Sequence, residues 1–183
     1  MTSPPWIIPI VEPSMVVLIG AAGSGKSTFA QRHFEAADIL SSDALREVVS
    51  GDAADQAASG LAFRILYRML VSRLQAGRSA VIDATNTQAR DRKALLVHAA
   101  RLDVPAVAIV LDLPPPLIHA RAAARPERLV DPAIIDRQIA RVRRTVDGGQ
   151  LLEEGYGQVV VLATADEVEA VVVVRDAVAP GSG

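Results

Sequence analysis

The chain has 183 residues, of which 50% are hydrophobic and 22% charged, with a formal net charge of −2 and no cysteine. This length suits one domain with a full core, and the composition excludes a disulfide framework or a thiolate metal site. No apolar run reaches the roughly 18 residues that a membrane span needs, so we expect a cytoplasmic protein without a membrane partner.

Apolar runs alternate with helical patterns along the chain, which predicts βαβ units in an α/β fold with a mostly parallel sheet. We expect an extended N-terminal arm at 1–14, a single domain at 15–178 and a flexible tail at 179–183. The predicted strands are Met15–Ile19, Ile39–Leu40, Ala80–Ile82, Ala106–Leu111 and Val159–Leu162, with Val171–Val174 as a sixth, edge-strand candidate. The predicted helices are Lys26–Phe34, Gln56–Ala76, Thr87–Leu102, Pro116–Ala124 and Pro132–Val146.

A glycine-rich motif joins the first predicted strand to the first predicted helix. Residues 20–27, GAAGSGKS, match G-x-x-x-x-G-K-[ST] in full. Glycines let backbone amides turn inward around a phosphate at a helix N-terminus. Lys26 is expected to bridge the β- and γ-phosphates of ATP, and the Ser27 hydroxyl to bind Mg²⁺. The pattern predicts a P-loop NTPase-type three-layer fold, with a phosphate cradle that also includes Gly20, Gly23, Ser24, Gly25 and Thr28.

Two aspartates follow predicted strands and are candidates for the chemistry. Asp43 lies at the carboxyl edge of the sheet, where parallel sheets place ligands, and is our candidate for the base that deprotonates an attacking hydroxyl. The alternative is that Ser42 or Asp43 caps a helix that begins at Ala44. Arg46 is expected on the same helical face, where it would hold an anionic acceptor. Asp83 would hold a metal-bound water or cap a helix, and both roles stay open.

Arginines cluster in a predicted helical lid at about 119–146. Arg121 and Arg125 are four residues apart and are expected to share a helix face, and Arg128 follows shortly after. Planar guanidinium groups in such a lid neutralise charge on a transferring phosphate. We expect these three to clamp the donor, whereas the arginines at 137–144 are expected to be solvated.

In four segments the chain resembles the kinase domain of bacterial polynucleotide kinase-phosphatase, among the small P-loop kinases that include phage polynucleotide kinase. The segments, in order, are Gly20–Phe29, Ser41–Arg46, Val81–Asn86 and the Arg121/Arg125/Arg128 lid. The resemblance covers about 15–175 and implies transfer of the ATP γ-phosphate to the 5′-hydroxyl of DNA or RNA, in nucleic-acid repair. By matching positions, Asp43 would be the general base, Arg46 would contact the acceptor 3′-phosphate, and Arg121 and Arg128 would hold the donor phosphates.

Two other functions also fit these residues. The first is a small-molecule kinase acting on a sugar, nucleoside or antibiotic hydroxyl, which is favoured by the scarcity of aromatic side chains that could stack bases. The second is a module that binds or hydrolyses ATP without a phosphate acceptor. An Asp43→Ala change is expected to abolish transfer by either kinase and to leave ATP binding intact in all three cases.

Overall fold

The structure is a computed structural model that describes residues 6–52, 57–125 and 129–177. In chain order the elements are β1 (Ile7–Glu12), β2 (Met15–Ile19), α1 (Lys26–His33), a 3₁₀ turn (Ala36–Asp38), β3 (Ile39–Ser41), α2 (Ser42–Ser50), α3 (Ser59–Gln75), β4 (Ala80–Asp83), α4 (Ala89–Arg101), β5 (Ala106–Leu111), α5 (Pro115–Ala123), α6 (Pro132–Asp147), α7 (Gln150–Glu154), β6 (Gln158–Leu162), α8 (Ala165–Ala170) and β7 (Val172–Ala177).

The main sheet is parallel, with the strand order β3-β4-β2-β5-β6. Every residue of β2, β4 and β5 is buried, as the continuous apolar runs predict for strands covered on both faces. Leu18 in β2 is the register partner of Asp83 in β4, and Asp83 is the partner of Ser41 in β3. The loops that follow these three strands therefore emerge side by side at one edge of the sheet.

Two layers cover the sheet. On one face, α3, α4 and α6 contribute Leu66, Leu95 and Val142 to a buried cluster. On the other face, α1 packs Phe29 against the sheet, next to Ile10 of β1. The P-loop NTPase-type α/β architecture expected from the sequence is confirmed, and no helix in the described part of the chain is long and apolar enough to cross a membrane.

A second, two-stranded sheet stands apart from the main one. Strand β7 pairs in parallel with β1, in the register Ile7↔Val172. The candidate strand at 171–174 therefore exists, but not as an edge of the main sheet. Residues 7–12, within the expected extended arm, form its partner. Arg175 of β7 forms one ion pair within this small sheet, with Glu12 of β1. A second ion pair joins the small sheet to the body, because Arg175 also lies 2.8 Å from an Asp38 carboxylate oxygen.

The helix boundaries differ from the expected ones by a few residues. Helix α3 begins at Ser59, and the expected start at Gln56 lies outside the described residues. Helix α4 begins at Ala89, two residues later than the expected Thr87, and its N-cap is Gln88. Helix ends are the least certain part of a sequence-based assignment because the periodic pattern does not mark them.

His33 ends α1 in a mostly apolar environment. Its ring centroid lies 4.4 Å from that of Phe29, and its Nε2 atom is buried with no hydrogen-bond partner among the described residues. Burial, and then the nearby charge of Arg32, lowers the pKa of His33 below its ordinary value of 6.5.

Candidate functional site

The P-loop connects β2 to α1 and leaves a helix N-terminus open. Gly23 and Gly25 have φ values of 86° and 95°, in the left-handed region that favours glycine. Gly25 is the N-cap of α1 and provides no side-chain acceptor for the first-turn amides. A Cβ atom at Gly23 would lie 2.6 Å from the Ile118 carbonyl oxygen. The loop is therefore a close-packed backbone cradle at a helix N-terminus, which suits an anion such as a phosphate.

Hydrogen bonds from three directions hold this loop in place. The Gly20 amide donates to the Thr85 carbonyl at 3.0 Å, which ties the loop to the end of β4. The Ala22 amide donates to Oε1 of Gln138 in α6 at 2.8 Å. Asn86 donates from its side chain to the Leu18 carbonyl at 2.7 Å. The loop conformation thus depends on β4 and α6 as well as on the motif itself.

Lys26 is buried at the start of α1, with 7% of its surface exposed. Among its contacts, Nζ donates to the Ala21 carbonyl at 2.8 Å and lies 3.3 Å from Ser24 Oγ. The loop thus holds the ammonium group within its own curve, where a phosphate would meet it. Ser27 is half-buried and follows directly in the first helical turn, and Thr28 is exposed beside it.

The cradle also fits a magnesium nucleotide. Within the described ranges no group of three or more His, Cys, Asp or Glu side chains could hold a metal ion by itself. Ser27 offers a hydroxyl oxygen, and hard cations such as Mg²⁺ take oxygen ligands from one or two side chains together with substrate phosphates. Ser27 is therefore the residue that would hold Mg²⁺ here.

Asp43 lies in the first turn of α2, just beyond β3. The helix begins at Ser42 and not at Ala44, and its N-cap is Ser41, whose Oγ accepts from the Ala44 amide at 3.4 Å. The capping interpretation of Ser42 or Asp43 is therefore wrong. Asp43 instead forms an ion pair with Arg46, and their side chains are 20% and 9% exposed. Asp43 and Arg46 therefore share a helical face, as expected, and this face brings a carboxylate and a guanidinium group together.

Asp83 is the last residue of β4, the strand between β2, which leads into the P-loop, and β3, which leads to Asp43. It is 5% exposed, and its register partners are Leu18 of β2 and Ser41 of β3. Because α4 begins six residues later, with Gln88 as its N-cap, Asp83 does not cap a helix. Asp83 is therefore a buried carboxylate at the centre of the carboxyl edge, beside the P-loop strand, and its metal-water role stays a prediction.

Helices α5 and α6 form most of the segment predicted to be a lid. Arg121 in α5 is half-buried, and a Cβ atom on Gly25 would lie 3.4 Å from its Nη1 atom, so its guanidinium lies over the P-loop. Arg125 does not share a helix face with it, because α5 ends at Ala123 and Arg125 is exposed beyond that end. Arg128 lies outside the described residues. His119 contacts Asp136 at 2.8 Å and joins the two helices.

Sequence reasoning missed several residues that shape the site. Gln138 contacts the P-loop from 116 residues away, and no local motif marks it. Arg92 is 1% exposed and binds Glu154 through Nε–Oε2 and Nη2–Oε1 contacts of 2.7 and 2.6 Å. Its Nη1 donates to the Asn86 carbonyl at 3.0 Å. These contacts stabilise the segment after β4, which itself supports the P-loop.

Comparisons with known proteins identify a family and several similar folds. The family model described as AAA domain matches residues 15–147, and none of the curated proteins matches. Among solved structures, the Pnkp1/Rnl/Hen1 RNA repair complex is similar at 23% identity over 76% of this chain, with a TM-score of 0.66. A gluconokinase from Sinorhizobium meliloti 1021 is 17% identical, with 88% of this chain and 89% of that chain covered and a TM-score of 0.55.

A third structure, Chaetomium thermophilum Kti12 in complex with ADP-AlF3, is 16% identical, with 86% and 94% of the two chains covered and a TM-score of 0.60. The present chain spans about half, 47%, of the RNA-repair chain that it matches. At these identities the likenesses show the fold alone, a P-loop α/β fold.

Proposed function

Since the chain belongs to the AAA domain family, we propose that it is an ATP-dependent phosphotransferase whose acceptor is the 5′-hydroxyl end of a nucleic acid. The observation that carries this proposal is the Asp43–Arg46 ion pair at the carboxyl edge of the sheet. It follows β3, which is separated from β2, the strand that leads into the P-loop, by the single strand β4. A candidate proton acceptor and an anion-binding guanidinium thus flank the phosphate cradle.

The reaction that this arrangement supports is an in-line displacement at the γ-phosphorus. The acceptor oxygen forms the new bond to phosphorus, its proton passes to a carboxylate oxygen of Asp43, and the bond to the β,γ-bridging oxygen breaks to release ADP. Lys26 and Arg121 are placed to stabilise charge on the transferring group. Mg²⁺ bound with the nucleotide would supply further neutralisation of the phosphate oxygens, with Ser27 as its protein ligand.

Arg46 favours an acceptor that carries an anion next to its reacting hydroxyl. Its guanidinium is already held beside Asp43, so a phosphate that it contacts would lie close to the base. A nucleotide at a 5′ end has such a phosphate on its 3′ side. This chemistry, together with the likeness of fold to a component of an RNA repair complex, supports a polynucleotide acceptor.

A small-molecule hydroxyl is the second candidate. The gluconokinase likeness covers nearly all of both chains, and so the same scaffold accommodates an acceptor without a nucleobase. The phosphate of a phosphorylated sugar would bind the Arg46 guanidinium as well as a nucleotide phosphate would. A transfer assay with both kinds of acceptor distinguishes the two candidates.

The test is transfer of label from γ-labelled ATP to a 5′-hydroxyl oligonucleotide and, in parallel, to a panel of sugars and nucleosides. The Asp43→Asn variant preserves the size of the side chain and removes its basicity, so we expect kcat to fall by about 10²–10⁴-fold. Asp147→Asn, at the exposed C-terminal end of α6, removes the same charge away from the site and should retain full activity. Label on a sugar and none on the oligonucleotide would transfer the assignment to the second candidate.

A further inference from the structure

A polar cavity lies between the start of α4 and the second half of α6. Its volume is about 420 Å³. The residues used in the argument below are Thr87, Gln88, Arg90, Arg141, Arg144 and Thr145. We call it the α4–α6 cleft. None of the residues assigned above to ATP or to the transfer reaction lines it.

The α4–α6 cleft has a strong positive charge. Among the residues that the structure describes, four arginines line it and no carboxylate does. The charge of Arg92 is matched by Glu154. The exposed Arg90 lies 3.3 Å from a carboxylate oxygen of its neighbour Asp91, and a surface pair of this kind contributes little. In the described part of the chain Arg141 and Arg144 have no carboxylate partner. The chain as a whole has a net charge of −2, so this local excess of positive charge favours the binding of an anionic ligand in the cleft.

Hydrogen-bonding groups also line this space. Thr87 and Thr145 are each 5% exposed and contribute to the wall of the α4–α6 cleft. The N-cap of α4, Gln88, provides no side-chain acceptor for the first-turn amides. Arginine forks, hydroxyls and a helix N-terminus together match the oxygens of a phosphate.

The position of the α4–α6 cleft relates it to the reaction. One wall begins two residues after Thr85, whose carbonyl accepts from the P-loop amide of Gly20. The other wall lies one helical turn beyond Gln138, whose side chain accepts from the P-loop amide of Ala22. The helices that form it pack on the same face of the sheet as Leu45, which follows Asp43 in α2 by two residues.

We propose that the α4–α6 cleft binds the phosphodiester backbone of the acceptor strand, at nucleotides beyond the one whose 5′-hydroxyl is phosphorylated. This inference rests on the proposed function and specifies its substrate as a strand longer than one nucleotide. Within the described ranges no aromatic side chain lines the cleft, so we expect no stacking of bases there. The contact is therefore to phosphate, and it is independent of base sequence.

The test compares a short and a long acceptor. The variant carries Arg141→Gln with Arg144→Gln, and the matched control carries Arg68→Gln with Arg101→Gln, which removes two exposed charges elsewhere. The acceptors are a nucleoside 3′-monophosphate and a ten-nucleotide 5′-hydroxyl strand. We expect KM for the strand to rise at least about tenfold in the variant, with kcat, KM for ATP and KM for the mononucleotide unchanged. The control should match the unaltered protein throughout.

Salt dependence gives an independent readout. Each phosphate contact on a single strand contributes about 0.7 to the slope of log affinity against log salt concentration, so loss of two contacts should reduce the slope by about 1.4. Equal changes in KM for both acceptors, or an unchanged slope, would overturn the inference while leaving the kinase assignment intact. If the unaltered protein labels neither the mononucleotide nor the strand, the proposed function is refuted. In that event, equal binding of a labelled 5′-phosphorylated strand by variant and control would overturn the cleft assignment as well.

Discussion

Replacing Arg92 with alanine should destabilise the fold far more than any change at an exposed arginine. Arg92 is 1% and Glu154 6% exposed at the side chain, and two hydrogen bonds join them. The change leaves a buried carboxylate without its cation and the Asn86 carbonyl without the donor at 3.0 Å. Breaking a buried pair from one side costs about 3–5 kcal/mol. In a chain of this length each kcal/mol lowers Tm by about 2–4 °C, so Tm should fall by about 6–20 °C.

Urea unfolding followed by circular dichroism measures the free energy of unfolding, and thermal scans measure Tm. Arg90→Ala, two residues away with a 78% exposed side chain, is the control and should change the free energy of unfolding by less than about 0.5 kcal/mol. The double variant Arg92→Leu with Glu154→Leu removes both charges and should be less destabilised than the sum of the two single changes. A loss below about 1 kcal/mol in Arg92→Ala, or strict additivity in the double variant, would refute the buried-pair argument.

Three further predictions concern the P-loop and its surroundings. Gly23→Ala should weaken ATP binding measured by calorimetry, because it adds a steric clash to a positive φ; Gly51→Ala, with a similar φ and open space around it, is the control and should affect stability alone. Gln138→Leu removes the acceptor of the Ala22 amide. It should raise KM for ATP with little change in Tm, and an unchanged KM for ATP would contradict a positioning role. The pKa of His33 is lowered in the folded state. Below a pH of about 6.5 the unfolded chain therefore binds more protons than the folded chain, and the folded state loses stability as the pH decreases. His33→Gln should flatten the decline of Tm between pH 7 and 5.5, and an unaltered slope would count against this assignment.

Local patterns in the sequence account for most of the fold. Continuous apolar runs such as Ala106–Leu111 mark strands covered on both faces, and β5 has those same bounds. Asp131 followed by Pro132 predicts the start of α6, where the Asp131 carboxylate accepts from the Ala133 amide at 2.8 Å. The P-loop motif places a phosphate cradle because its requirements are local: a turn, two positive φ angles and a helix start.

What the sequence did not reveal depends on contacts between distant residues or on short elements. Strand β1 contains Pro9, which does not favour a strand, and it forms because β7 is available as a partner. Helices α7 and α8 span five and six residues, too few to show a helical period. The buried Arg92–Glu154 pair joins residues 62 apart, and nothing near Arg92 distinguishes it from the exposed arginines. Tertiary packing decided these cases, and local propensity did not.

The pairing of β1 with β7 has a consequence for how the chain folds. Arg175 and Glu12, which bind each other along this ladder, are 163 residues apart in sequence. Closing a loop of that length costs about 1.5 kcal/mol more conformational entropy than closing the roughly 30 residues of a βαβ unit. The main sheet can therefore grow from neighbouring units, while the small sheet must wait until almost the whole chain is in place. We expect this ladder to be the last structure acquired during refolding, with amide protection in β1 and β7 appearing after that in β2 and β5.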